Sequence, residues 1–210
     1  MSLPGMSPYV QLDGPDGCGK SSQAEALCAW LRTMGHQVLH VREPGSTPVG
    51  EALRHLLLSP LTGELQAITE VLLFSAARGE LVHQQIAPAR ARGEIVVAER
   101  GYLSTVVYQA LAMQPGLAVD WVFDLTRRVH GGCLPDAVFV LDVPAAVAMD
   151  RRRARANDRI ELRSVAYHER VRAGFVQAAT LERRALVVDA ARPFLAVQED
   201  LRAHLLRMLP

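Results

Sequence analysis

The chain has 210 residues, half of them hydrophobic and 21% charged, with a formal net charge of +1, an ordinary balance for one sizeable domain with its own core. So weak a field gives nucleic acid or an anionic membrane no hold on the molecule as a whole, and any positive potential must be local. Cys18, Cys28 and Cys133 stand at no metal-binding or C-x-x-C spacing, no signal-peptide pattern opens the sequence, and no stretch approaches a membrane span, which points to reduced thiols and a cytoplasmic protein.

The first element is YVQLDG (9–14), an apolar run that ends in glycine and reads as a buried strand. From Lys20 to about Met34 apolar positions recur at helical spacing until Gly35 stops them. QVLHVRE (37–43) reads as a second strand and VGEALRHLLL (49–58) as a second helix. The long periodic stretch 65–93 is helical, and Pro88 is expected to kink or divide it. EIVVAER (94–100) is a third strand, followed by helical text near 103–112 and 119–130. DAVFVLDV (136–143) and ALVVDA (185–190) are the fourth and fifth strands, and the last helix covers about 194–208. Apolar strands alternating with helices predict an α/β fold: a five-stranded parallel sheet, its strands buried on both faces, with helices on each side. No repeat, low-complexity tract or linker interrupts it, so the expectation is a single domain over 1–210.

Between the first strand and first helix lies GPDGCGKSS (14–22). G-x-x-x-x-G-K-S in that context is the P-loop signature, so the fold expected is that of a P-loop NTPase. Gly14, Gly17 and Gly19 permit backbone angles that let N–H groups converge on phosphate oxygens at a helix start, with Asp16, Cys18 and Ser22 completing the loop. Lys20 is the only lysine in the chain. Its compact ammonium suits the β- and γ-phosphates of ATP, where a broad guanidinium fork does not. Ser21 offers a hydroxyl to Mg²⁺. A glycine-rich turn without a ligand is the bland alternative; the strand-to-helix setting and the sole lysine favour phosphate. A GTPase needs N-K-x-D, which one lysine cannot supply outside the loop, so a kinase of small molecules fits better.

Four further segments, VREPGSTPVGEALRHLLL, EVLLFSAARGELV, ERGYLSTVVYQ and DRIELRSVAYHERVRAGF, resemble in order and spacing those of bacterial thymidylate kinases. The resemblance covers nearly the whole chain. It implies transfer of the γ-phosphoryl of ATP to dTMP with Mg²⁺, and commonly a homodimer with the helix around 65–90 in its interface. It implies that Arg42 and Arg100 hold the acceptor 5′-phosphate, that Phe74 stacks on thymine and that Arg78 reaches a base carbonyl. Ser104 and Thr105 would lie beside the base edge, Tyr108 would crowd the position of a ribose 2′-hydroxyl, and Gln109 would support Tyr108. Asp16 would meet the acceptor 3′-hydroxyl, and Glu99, in place of the usual aspartate, would stand near the magnesium.

The stretch 151–172 holds eight arginines in 22 residues. A solvated helix face and a nucleic-acid contact are the ordinary readings of such a run. The family resemblance implies a third, a lid at about 151–161 whose arginines close over the phosphates; Cys18 leaves the loop itself without one. The candidates are Arg151, Arg153, Arg155 and Arg159, of which Arg153 and Arg155 are taken as catalytic with Lys20, Asp16 and Arg100.

The sequence departs from the family at Glu99, at Gly101 where an aromatic or histidine is usual, at Ser46 where a second glycine is usual, and at ALAMQPGL after Gln109. All but the first touch the acceptor side. That leaves open a kinase of another or modified deoxynucleoside monophosphate, or a nucleotide-binding homologue with a decayed acceptor site.

Overall fold

The computed structural model describes residues 6–152 and 158–209. Strand β1 (Tyr9–Asp13) is buried along its whole length. It lies at the centre of a five-stranded sheet in the order β2 (Val38–Arg42), β3 (Ile95–Glu99), β1, β4 (Ala137–Asp142), β5 (Ala185–Asp189). Every neighbouring pair is parallel. The chain therefore leaves β1 where connections diverge to opposite sides of the sheet, the position at which open α/β sheets form their crevice.

Helices cover both faces. On one, α1 (Lys20–Thr33) and α9 (Phe194–Leu206) bring Leu27, Leu31, Leu201 and Leu205 against Val10, Leu12, Phe139 and Leu141. On the other, Val138 and Val140 meet Val71 of α3 (Ala67–Leu81), Leu103 of α5 (Tyr102–Thr105) and Phe175 of α8 (Val165–Leu181). Successive β4 residues thus serve opposite faces, as a period of two requires. Burial of each large side chain contributes about 1.5–3 kcal/mol.

Local signals start the helices where the site needs them. Thr47 caps α2 (Pro48–Leu58) by accepting from Gly50 N at 2.9 Å, with Pro48 in the first turn. Ser164 caps α8 in the same way. Helix α1 has no side-chain cap, so its first N–H groups remain available to an anion.

Differences from the sequence expectations have physical reasons. Helix α3 runs on through a π turn (Val82–Ile86) into α4 (Ala87–Ala91), with Pro88 in the first turn of α4. The wider turn carries the chain past a residue that has no N–H to give. The strands are not all buried: β2 and β5 are the sheet edges, and Val187 is 51% exposed. The segment near 103–112 is a short α5 followed by a π-helix, Val106–Ala112. Helix α8 went unread because its first half lies in the arginine-rich run, although its buried Tyr167, Val171, Phe175 and Ala178 recur at helical spacing. The remaining helices, α6 (Val119–Val129) and α7 (Ala145–Arg152), follow the π-helix and β4.

Candidate functional site

At the C-terminal end of β1 the loop 14–19 folds around the Lys20 ammonium, which donates to the carbonyls of Gly14 (2.9 Å) and Pro15 (2.8 Å). Gly17 is obligatory on two counts. Its φ is +87°, and a Cβ there would lie 2.2 Å from the Ala148 carbonyl, so the loop and α7 touch backbone to backbone. Ser21 Oγ donates to Glu99 Oε2, and His40 Nε2 lies 3.0 Å from the other Glu99 oxygen. Burial opposes the Glu99 charge, but bonds from His40 and Ser21 and the nearby Lys20 outweigh it and hold the carboxyl below its ordinary range.

Across the loop, Asp16 accepts from Arg100 and from Tyr108 Oη, the latter at 3.0 Å. Arg100 has a φ of +68°, a left-handed conformation costly for a non-glycine residue and often kept at functional sites. Its neighbour Ser104 is held by Asp13, which accepts from Ser104 N (2.9 Å) and Oγ (2.6 Å). Burial pushes the Asp13 carboxyl up, against the pull of Ser104 and Arg100.

Arg78 is 2% exposed. It donates to Glu43 (2.7 Å), to the Gly101 carbonyl (3.1 Å) and to Thr105 Oγ1 (2.9 Å). Its Nη1 and Glu43 Oε1 are buried and without a partner among the described residues. Phe74, one turn earlier on α3, is half-buried against the core and also faces the cleft. Arg42 places one amino group on both oxygens of Glu51, at 3.2 and 3.1 Å. Arg54 joins it from α2, donating to the Pro44 carbonyl at 2.9 Å. Burial, followed by the charges of Arg42 and Arg100, lowers its pKa.

The fold brings Asp16, Gly17, Gly19, Lys20, Ser21 and Ser22 into one cleft of about 740 Å³ with Arg42, Phe74, Arg78, Glu99, Arg100, Ser104, Thr105, Tyr108 and Gln109. Gly14 and Cys18 stand behind it: a Cβ on Gly14 would meet the Leu141 carbonyl at 2.6 Å, and Cys18 is core. Arg151 lines the cleft and donates to the Ala190 carbonyl. Arg153 and Arg155 lie outside the described residues. Arg159 corrects the expectation for the lid. Its guanidinium is buried against Leu57 O (2.8 Å) and Glu70 Oε1 (2.7 Å) rather than turned to the phosphate loop.

The departures at Gly101, Ser46 and after Gln109 are filled. A Cβ on Gly101 would lie 2.0 Å from Gln11 Oε1, so Gln11 takes the space a side chain would need. Tyr102, the next residue, is fully buried and packs edge-on against Phe123 and His130. Ser46 has a φ of +65° and its hydroxyl accepts from Arg42 N at 2.9 Å. After Gln109 the chain turns back so that Leu117 N donates to the Gln109 carbonyl at 3.0 Å.

Sequence reasoning missed Asp13, Glu43, Arg54 and Glu70. Asp13 belonged to the strand signal, and Arg54, three residues after Glu51, reads as a surface pair. A buried carboxylate such as Glu43 or Glu70 leaves no signal until its guanidinium partners are placed.

The family model described as thymidylate kinase matches residues 12–201. The chain is 39% identical over 206 residues to a thymidylate kinase of Symbiobacterium thermophilum, covering 98% of this chain and 95% of that protein. It is 43% identical over 192 residues to one of Thermomicrobium roseum (90% and 89% covered). With one of Deinococcus radiodurans it is 38% identical over 199 residues (94% and 93%).

Proposed function

The chain belongs to the thymidylate kinase family, and from that premise we propose how its cleft works. It is an enzyme, a nucleoside monophosphate kinase that moves the γ-phosphoryl group of ATP to dTMP. A phosphate oxygen of dTMP bonds to the γ-phosphorus as the bond to the β–γ bridging oxygen breaks, giving dTDP and ADP. The observation that carries the residue roles is the shared cleft, in which the phosphate loop and the acceptor candidates face one another.

In this reading the loop amides and Lys20 hold the β- and γ-phosphates. Arg42, Arg54 and Arg100 converge on the acceptor phosphate, where guanidinium forks match its geometry. Asp16, already holding Arg100 and Tyr108, positions both and meets the 3′-hydroxyl. Tyr108, with Gln109 next to it in the chain, closes the sugar side, and Ser104 and Thr105 stand at the base edge. Phe74 offers a stacking face, worth about 1–3 kcal/mol in nucleic-acid systems. Arg78 directs its unpartnered Nη1 at a base carbonyl. Arg151 leads into the lid, 151–161, where Arg153 and Arg155 neutralise the transferring group. Catalysis is then positioning and charge neutralisation, with no covalent intermediate.

Mg²⁺ fits the residues present. The Ser21 hydroxyl and the Glu99 carboxylate meet at the loop edge, two hard oxygen donors beside the phosphate cradle, and would hold the ion. When bound it would neutralise phosphate charge.

We read the chain as one domain and as a cytoplasmic homodimer. The three cysteines are free and buried, and no described helix is long and apolar enough to cross a membrane. Ile68 and Leu72 of α3, with Leu56 of α2 and Trp121 of α6, are apolar and exposed, and both helices pack beside α3; these would meet the second copy.

ATP consumption across a panel of nucleoside monophosphates tests the reading. Release of ADP with dTMP, lost in R100A, is the expected result. Turnover with a different nucleotide only, or ATP binding without turnover, would replace it by one of the alternatives.

A further inference from the structure

Glu70 lies on α3, fully buried, outside the cleft lining. Its Oε2 accepts from Gln109 Nε2 at 2.8 Å. Its Oε1 accepts from Arg159 Nη2 at 2.7 Å and from Arg163 Nη2 at 2.9 Å. A carboxylate paired with two guanidinium groups is an acceptor only. The Gln109 amide is therefore fixed one way round, its NH₂ committed to Glu70. The amide oxygen carries no hydrogen bond among the described residues, and Gln109 lines the cleft.

Resting on the reading of this cleft as the acceptor site, we propose that Glu70 is a positioning residue for base selection. By fixing the Gln109 amide it leaves an acceptor oxygen for the nucleobase in the cleft that Arg78 also lines. An acceptor from Gln109 and the unpartnered donor Nη1 of Arg78 together suit a carbonyl and an N–H on the base, the lactam edge of thymine. The cytosine edge presents an amine and an unprotonated ring nitrogen, which oppose both groups. A site whose polar groups are left unpaired rejects the wrong ligand strongly.

The test compares two variants, E70Q and E70D, by kcat/KM for dTMP and for dCMP, KM for ATP, and thermal melting. E70Q keeps the shape but allows the Gln109 amide to turn over. E70D is shorter but keeps an acceptor-only carboxylate. We expect E70Q to shrink the dTMP-over-dCMP ratio by about tenfold or more, raise KM for dTMP and leave KM for ATP nearly unchanged, while E70D retains the ratio. A merely structural Glu70 would reverse the order, because the gap left by aspartate does more damage than an isosteric amide. If E70Q melts below the assay temperature, E70D decides alone: a retained ratio supports the proposal and a lost ratio overturns it. Wild-type protein inactive on dTMP would overturn the acceptor reading itself. Active wild type with an unchanged ratio in E70Q would overturn only the role of Glu70.

Discussion

Gln11 and Gly101 are a complementary pair: the amide of one occupies the room a side chain on the other would require, with a built Cβ only 2.0 Å from Gln11 Oε1. Gln11 is fully buried in β1 and bonds to Tyr9 Oη at 2.5 Å, so it has little freedom to withdraw. The missing side chain at Gly101 is thus matched from behind by Gln11, where Gly101 lines the cleft.

The pair predicts an epistatic effect. Gly101 has an extended backbone that any residue adopts (φ −174°), so the cost of G101A is overpacking alone, about 1–3 kcal/mol. In a chain of this size that lowers Tm by about 2–12 °C. Q11A combined with G101A should recover more than half of the loss. Additive melting shifts in the double variant would contradict the pairing.

Lys20 holds two loop carbonyls at 2.9 and 2.8 Å, spacing that suits a tetrahedral ammonium. K20R keeps the charge and loses the fit. Its kcat should fall by about 10²-fold or more, as for loss of one placed donor to a developing charge, with melting nearly unchanged. Near-normal turnover in K20R would show that charge alone suffices.

Arg159 is part of the frame. R159M should lower Tm, because it leaves Glu70 with one guanidinium, and should leave KM for ATP nearly unchanged. R155A should do the reverse, reducing kcat while melting as wild type does. Steady-state kinetics and melting on both proteins decide this, and a kcat defect without a stability defect in R159M would restore it to the lid.

His130 makes the fold acid-sensitive. Its burial, with the charge of Arg78, pushes the ring down to about 3, while Nδ1 bonds to the Thr126 carbonyl at 2.7 Å. The unfolded chain takes up a proton near pH 6.5 that the folded protein refuses. Stability contributed by the neutral ring is therefore whole above about 6.5 and falls as pH drops toward 3, by up to about 1.4 kcal/mol per unit. Urea midpoints at pH 7 and pH 5 should differ more for wild type than for H130F. Equal differences would remove His130 as the cause.

What the sequence made legible was what short-range chemistry determines. The turn 14–22 and the five strands follow from spacing and glycine placement, while the acceptor segments are legible only through their resemblance to thymidylate kinases. Arg159 misled because an arginine within an arginine-rich run carries no mark of its partner, and Glu70 is 89 residues away. The π-helix that places Tyr108 and Gln109 has the same apolar content as an ordinary helix. Gln11 reads from the sequence only as part of a buried strand, and its role depends on the approach of Gly101. Long-range pairs of this kind are fixed by tertiary packing, which periodicity does not encode.

The central claim is that one cleft holds the end of a triphosphate in the loop and an acceptor monophosphate among the arginines. Its most direct measure is the affinity of a bisubstrate mimic, adenosine joined to thymidine through five phosphates, for wild type, K20A and R100A. The account predicts binding at least about 10²-fold tighter than ATP or dTMP alone, with each variant losing most of that gain. Binding no tighter than ATP, or unchanged in both variants, would contradict it.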